Sequence, residues 1–424
     1  MVECRAGTSG IISFFYGALM QKPKFEKLHL SKMVQKALDT MGIEELSPIQ
    51  EQSIPLVLEG NDIIGQAQTG TGKTAAFGIP LIEMLDAKKR QTEALILCPT
   101  RELAVQVASE LRKIARFRKD IVVIPVYGGQ SIRLQITSLK KGVHIIVGTP
   151  GRMIDHMKRR TIKLGTVTRV VLDEADEMLN MGFLEDIETI LEATSANRQT
   201  LLFSATMPES IRKLAGKYQK NPSLVKVVGD ELTVSEVDQS YIEARPGKKL
   251  NLLRKIVDNY KFASSLVFCN TKRCVDDVAR DLKALGYDTE SIHGDMAQGQ
   301  RDRVMSKFRR GNSTILVATD VAARGIDVRN VEAVINYDIP RDDQYYVHRI
   351  GRTARMGKTG YAFTLILPTE MGKLRDIKNY AKTEIKRHPP LSPEDEFTFT
   401  AAVKPVNKRR TTFKPSHKGR FKRS

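Results

Sequence analysis

The sequence predicts an α/β protein made of two parallel-sheet domains in tandem. Three observations carry this expectation. Short apolar runs alternate with longer amphipathic stretches from about residue 25 to residue 367. Strands too short to be helices, separated by helices, imply parallel sheets. The rhythm breaks once, between Val228 and Lys248, where Gly229, Asp230, Glu231, Pro246 and Gly247 gather. Finally, the polar and Gly-rich clusters begin where apolar runs end, and open parallel sheets bind ligands beyond the carboxyl ends of their strands.

The strands expected in the first domain are Asp62–Ile64, Ala94–Cys98, Ile121–Val126, Val143–Val147, Arg169–Leu172 and Gln199–Phe203. Those of the second are Ser265–Cys269, Thr314–Ala318, Glu332–Asn336 and Tyr361–Leu367. Arg101–Phe117 and Cys274–Leu285 read as helices between them. The chain divides into a poorly ordered leader (1–24), a first domain (25–228), a linker (229–247), a second domain (248–385) and a basic tail (386–424). Phe397–Ser424 holds nine Lys or Arg, no acids, and Pro405, Pro415 and Gly419. Such a segment cannot bury a core and is expected to be disordered.

Composition narrows the function classes. Lys plus Arg exceeds Asp plus Glu by 68 to 49, a net charge of +19 that points to a polyanionic partner. No apolar run approaches the ~18 residues of a membrane helix. The nearest, Ile11–Met20, contains Ser13 and Gly17. No basic amphipathic anchor stands out, so nucleic acid is favoured over a membrane. The cysteines are Cys4, Cys98, Cys269 and Cys274, with no C-x-x-C pair. That usage fits a reducing cytoplasm and indicates neither a zinc site nor a disulfide framework.

Three motifs carry chemistry. Ala67-Gln68-Thr69-Gly70-Thr71-Gly72-Lys73-Thr74 follows a strand and opens a helix. It fits the phosphate loop G-x-x-x-x-G-K-[ST], with Ala67 in place of the first glycine. Its backbone N–H groups would wrap phosphates; Lys73 would reach the β and γ phosphates of ATP, and Thr74 would hold Mg²⁺. Asp173-Glu174-Ala175-Asp176 follows the strand ending at Leu172. Asp173 would bind the same Mg²⁺, and Glu174 would position or deprotonate the attacking water. In His348-Arg-Ile-Gly-Arg-Thr-Ala-Arg355, Arg352 and Arg355 lie three apart and would share a helix face. Such a pair can clamp the charge that builds on a transferring phosphate, a role typically worth ~10³–10⁵ in rate. These arginines lie in the second domain and Lys73 and Asp173 in the first, so catalysis requires the domains to close on the nucleotide.

The ordered series of motifs resembles the DEAD-box ATP-dependent RNA helicases from about Phe25 to Leu367. The matching segments are Phe25, Gly42–Gln50, AQTGTGKT (67–74), PTREL (99–103), GG (128–129), TPGR (149–152), DEAD (173–176) and SAT (204–206). LVFCNT (266–271), Gln298-x-x-Arg301, ATDVAARGID (318–327) and HRIGRTAR (348–355) follow. The resemblance implies two RecA-like domains. It also implies that Phe25 stacks on adenine, Gln50 reads its edge, and Gly325 and Asp327 complete the nucleotide site, Asp327 at the ribose. Ser204 and Thr206 would couple hydrolysis to strand separation, with Asp176 and His348 linking the closed domains. One departure stands in the adenine motif: Leu46-Ser47 precedes Pro48-Ile49-Gln50 where the family has Pro-Thr.

By the same resemblance, single-stranded RNA would run across both domains, gripped by Arg101, Gly129, Thr149 and Arg152 in the first and Arg301 and Thr319 in the second. Few aromatics interrupt these motifs, so the grip would fall on phosphates and 2′-hydroxyls rather than bases. The helix after Arg152 would bend the strand and separate short duplexes. A DNA translocase or an ATP-gated RNA clamp could use the same two domains. The DEAD tetrad, Gln50 and HRIGRTAR favour RNA; Lys73, Glu174, Arg352 and Arg355 favour an active enzyme. The RNA target stays open, with ribosomal and mRNA-processing complexes among the settings.

Overall fold

The computed structural model describes residues 25–68, 70–227, 237–323, 331–354 and 359–392. Thr69, Gly325, Asp327, Arg355, the 1–24 leader and most of the basic tail lie outside these residues.

Two seven-stranded parallel sheets form the molecule. The first contains β1 (Ile63–Gln66), β2 (Ala94–Leu97), β3 (Val123–Val126), β4 (Ile145–Gly148), β5 (Arg169–Leu172), β6 (Gln199–Ser204) and β7 (Ser223–Lys226), in the order β3-β4-β2-β5-β6-β1-β7. The second contains β8 (Val237–Glu243), β9 (Ser265–Phe268), β10 (Thr289–Ile292), β11 (Ile315–Ala318), β12 (Ala333–Asn336), β13 (Gly360–Ile366) and β14 (Lys386–Arg387), in the order β10-β11-β9-β12-β13-β8-β14. Central strands such as β2, β4, β9 and β11 are buried at every position, because helices cover both sheet faces. One face of the first sheet packs Phe77, Leu111 and Phe203 with the helices Lys73–Met84 and Arg101–Ile114. The other packs Met153, Ile187 and Leu202. All ten expected strands are present, shifted by at most two residues at most ends.

The linker and tail boundaries need correction. Val237–Glu243, expected in the linker, is β8, paired in parallel along its length with β13. Its run Asp238-Gln239-Ser240 reads as a loop, yet Gln239 and Ser240 are buried. The cost of burying Gln239 is offset by Tyr346, whose hydroxyl donates to Gln239 Oε1 at 3.0 Å. Lys386–Arg387, expected in the tail, pairs with β8 as an edge strand. The edge strands β7 and β10 also lack a sequence signal, each burying few side chains. Among the described residues no helix is long and apolar enough to cross a membrane.

Candidate functional site

Because both sheets are parallel, the motifs that follow strands emerge on the carboxyl edge of their sheet. β1 runs into Ala67–Thr74, β2 into Pro99–Leu103, β3 into Gly128-Gly129, β4 into Thr149–Arg152, β5 into Asp173–Asp176, and β6 ends at Ser204. Motifs more than a hundred residues apart in sequence therefore meet.

The phosphate loop ends in Gly72, which takes φ +94° and caps the helix Lys73–Met84. Only glycine fits there: the left-handed backbone disfavours a Cβ, and a Cβ would strike Gln50 Nε2. Gln50 donates to the Gly72 carbonyl at 3.1 Å and accepts the Ser47 N–H at 3.0 Å. With Pro48 in the first helical turn, these bonds fix the adenine motif without the family's proline. Each amide atom keeps capacity for one more bond. Phe25 is 6% exposed and packs in the adjoining core with Leu30 and Val34.

A continuous hydrogen-bond chain joins three motifs. Lys73 Nζ donates to the Ala67 carbonyl at 3.0 Å, and the Ala67 N–H donates to the Ser204 carbonyl at 3.0 Å. Ser204 Oγ donates to the Thr206 carbonyl at 2.6 Å. Thr206 N–H and Oγ1 both donate to Asp176 Oδ2, at 2.8 and 2.7 Å. Asp176 Oδ1 accepts the Glu177 N–H. The Asp176 carboxylate is thus bonded inside its own domain.

Asp173 is 3% exposed, and burial pushes its carboxyl up to about 7 even though Lys73 pulls it down. Its Oδ1 is buried with no hydrogen-bond partner among the described residues. A buried, unpartnered carboxylate oxygen of this kind suits a hard divalent cation bound through oxygen. Glu174 holds a left-handed backbone, φ +52°, which aims it differently from Asp173 on the same turn.

The arginine motif departs from expectation. The helix Asp343–Ile350 stops before Arg352, and Ala354 turns left-handed at φ +52°. Arg352 therefore sits in a turn, and the shared helix face expected for Arg352 and Arg355 is not formed by this helix. Arg349, whose spacing gives no signal of a role, is the arginine inside the helix. It is 1% exposed, pairs bidentately with Asp320 at 2.6 and 2.8 Å, and donates to Asn336, Asn270 and the Asp338 carbonyl. It locks the helix that carries His348, and His348 and the following Arg352 line a small pocket with Phe268, Asp320 and Tyr345.

A second cavity of about 440 Å³ crosses the domain boundary. Arg101, Thr149 and Arg152 line it from the first domain, and Arg301 and Val321 from the second. Gly129 lies beneath Arg101: it has φ +87°, and a Cβ there would strike the Arg101 guanidinium. Thr319 directly follows β11, two residues before Val321, and its Oγ1 accepts the Ala322 N–H at 3.4 Å. Burial, with Arg101 and Arg159 nearby, draws Arg152 below its ordinary pKa against the pull of Asp155. Arg301 is engaged in a way the sequence did not indicate. Its Nε and Nη2 meet Glu102 Oε1 at 2.7 and 2.6 Å, and Nη1 donates to the His293 carbonyl. Glu102 belongs to PTREL, so this buried ion pair fastens the two domains together.

Comparison with known proteins identifies the family. The DEAD/DEAH box helicase family matches residues 47–214, and the helicase conserved C-terminal domain matches residues 248–357. The DEAD-box ATP-dependent RNA helicase CshA of Geobacillus kaustophilus is 53% identical over 366 residues, covering 86% of this chain and 78% of that protein. The ATP-dependent RNA helicase CshA of Listeria monocytogenes is 51% identical over 368 residues, 87% of this chain and 70% of that protein. Among solved structures, Saccharomyces cerevisiae Dbp5 bound to RNA and ADP BeF3 is similar with a TM-score of 0.79 at 31% identity, covering 88% of this chain and 97% of that one. A DEAD box protein from Methanococcus jannaschii gives 0.51 at 43% identity, covering 86% and 99%. Matches of this extent across both domains show that the chain belongs to the DEAD-box ATP-dependent RNA helicases, enzymes whose ATP hydrolysis depends on RNA.

Proposed function

We propose that this helicase grips single-stranded RNA in the interdomain cavity and separates short duplexes locally, coupled to hydrolysis of Mg²⁺-bound ATP. The observation that carries this reading is the cavity itself, which draws arginines from both domains and the hydroxyl side chains Thr100 and Thr149 from the first. A strand held there is gripped only when the domains meet, which ties its grip to nucleotide-driven closure.

In this reading residues 25–228 and 248–385, with β8 added to the latter, are the ATP-binding and C-terminal helicase domains. Phe25, Gln50, Gly325 and Asp327 bind the nucleoside. The loop Gln68–Thr74 wraps the phosphates, and the Lys73 ammonium moves from the Ala67 carbonyl to the phosphate oxygens. Thr74 and Asp173 hold Mg²⁺, which supplies charge neutralisation at the phosphates. Glu174 orients the attacking water and accepts its proton on the carboxylate. Arg352 and Arg355 stabilise the charge that develops on the γ-phosphate. Release of Lys73 from Ala67 is felt by Ser204, Thr206 and Asp176, because one hydrogen-bond chain contains them all. His348 carries the signal to the second domain.

Arg101 and Arg152 contact RNA phosphates, while Thr149, Thr319 and the Gly129 backbone hold the sugar-phosphate chain. The helix Pro150–Lys158 deflects the strand. Arg301 serves here both as cavity wall and as domain clasp. Cys98, Cys269 and Cys274 are free thiols, which fits a cytoplasmic setting. The test is the ATPase rate with Mg²⁺ under single-stranded RNA, single-stranded DNA or neither, followed by unwinding of a short RNA duplex. Stimulation by RNA alone with duplex separation supports the reading. Equal stimulation by DNA, or ATPase without strand separation, overturns it.

A further inference from the structure

Behind the cavity lies a buried polar hub outside the DEAD-box motifs identified above. Gln135, on the helix Ile132–Leu139, is 3% exposed, and His156, on Pro150–Lys158, is fully buried. Gln135 makes four hydrogen bonds: Nε2 donates to the Tyr127 carbonyl and to Gln130 Oε1, both at 2.9 Å, while Oε1 meets Arg152 Nη1 and His156 Nε2, both at 3.0 Å. Four bonds saturate a primary amide. Arg152 Nη1 also donates to the Gln130 carbonyl at 3.0 Å.

The protonation pattern follows from these partners. Arginine can only donate, so Gln135 must turn its oxygen toward Arg152. That oxygen then requires His156 Nε2 to carry the hydrogen. His156 Nδ1 is left to accept from Thr161 Oγ1 at 2.8 Å, a hydroxyl whose single hydrogen is shared with the His156 carbonyl at 3.2 Å. Burial, with Arg152 close by, lowers the His156 pKa, which keeps the ring in this neutral form.

We infer that Gln135 and His156 are positioning residues for RNA binding: they set the Arg152 guanidinium and the 127–130 turn in the geometry that receives the RNA backbone. The inference rests on the proposal that Arg152 contacts RNA. A flexible arginine loses rotamer freedom whenever it grips a ligand. Here that freedom is removed in advance, because Nη1 is fixed between Gln130 and Gln135. The same amide holds the Tyr127 carbonyl immediately before Gly128-Gly129, on which Arg101 rests. One side chain therefore ties together two arginines of the cavity wall and the turn between them. Oxygen and nitrogen placement matter as much as shape: leucine at 156 fills much of the space and leaves Gln135 one donor short.

The experiment measures RNA-stimulated ATPase of the full chain, taking the RNA concentration for half-maximal rate, kcat at saturating RNA and KM for ATP. It uses His156→Leu, His156→Gln, Arg152→Ala and the double variant Arg152→Ala/His156→Leu, with melting temperatures alongside. Loss of one partner in a buried network is expected to raise the RNA requirement about tenfold in His156→Leu. KM for ATP should hold. His156→Gln, which restores an N–H near the Nε2 position, should recover most of the loss. In the Arg152→Ala background the His156→Leu change should add almost nothing.

An RNA requirement that stays at the wild-type value in His156→Leu overturns the inference, as does full additivity in the double variant. A lowered melting temperature with KM for ATP and RNA requirement rising in parallel marks a merely structural role and also overturns it. If Arg152→Ala alone leaves RNA binding intact, the reading of Arg152 fails first, and the positioning role fails with it. Should His156→Leu not fold, Gln135→Met, close in size but without hydrogen bonds, replaces it in the same cycle.

Discussion

Asp173 is a carboxylate whose burial raises its pKa to about 7 from an ordinary 3.8, with Lys73 opposing the rise and Glu174 adding to it. The folded state therefore holds this proton more tightly than the unfolded state. Its contribution to stability is complete below the unfolded value and is lost as the pH climbs through 7. Asp173→Asn should raise the melting temperature of the ligand-free protein at about pH 8, and that gain should shrink toward about pH 4, where the wild-type carboxyl is also neutral. Binding of Mg²⁺-ATP should release a proton near neutral pH, read by calorimetry in buffers of different ionisation enthalpy. Gly129 makes a purely steric prediction. Gly129→Ala places a methyl against Arg101 on a backbone at φ +87°. The left-handed penalty of about 1–2 kcal/mol should appear as lost stability in urea unfolding, and the displaced Arg101 as weaker RNA binding with ATP affinity unchanged.

At the scale of elements, β8 shows how a strand can be hidden from sequence. Its buried Gln239 is tolerated because Tyr346, more than a hundred residues later, donates a hydrogen bond to it. Tyr346→Phe removes that donor and keeps the ring, so the second domain should lose about 1–3 kcal/mol, measured by urea unfolding. The arginine motif gives the opposite lesson. Spacing of three residues suggests a helical face, but the helix ends at Ile350, and Arg349, inside the helix, is the one consumed by Asp320 and Asn336. Spacing identifies a shared face only while the helix continues, and Gly351, directly after Ile350, is the C-cap at which it stops.

Across the whole molecule, the domains meet through the Glu102–Arg301 pair, whose side chains are 12% and 6% exposed. Removing one partner strands a buried charge, so Glu102→Ala should disfavour closure by roughly 2–5 kcal/mol. Dyes placed on the two domains should then need more RNA to report closure, with nucleotide binding to the first domain unaffected. Residues 393–424 of the basic tail lie outside the described residues, and the prediction for them rests on charge alone. Removing Lys404–Ser424 deletes nine Lys or Arg. RNA binding should weaken and lose part of its salt dependence, while the ATPase rate at saturating RNA holds.

From the sequence alone came the α/β class, the two-domain division, ten strands and the phosphate loop, DEAD and SAT motifs, because these depend on local patterns: buried apolar runs, a Gly-rich turn before a helix, acids at a strand end. The tertiary structure decided that Val237–Glu243 and Lys386–Arg387 are strands, that Arg301 fastens Glu102, and that Gln135 and His156 stand behind Arg152. Each of these depends on a partner distant in the chain. A buried polar side chain is informative only once the group that satisfies it is known, and a single sequence does not carry that pairing.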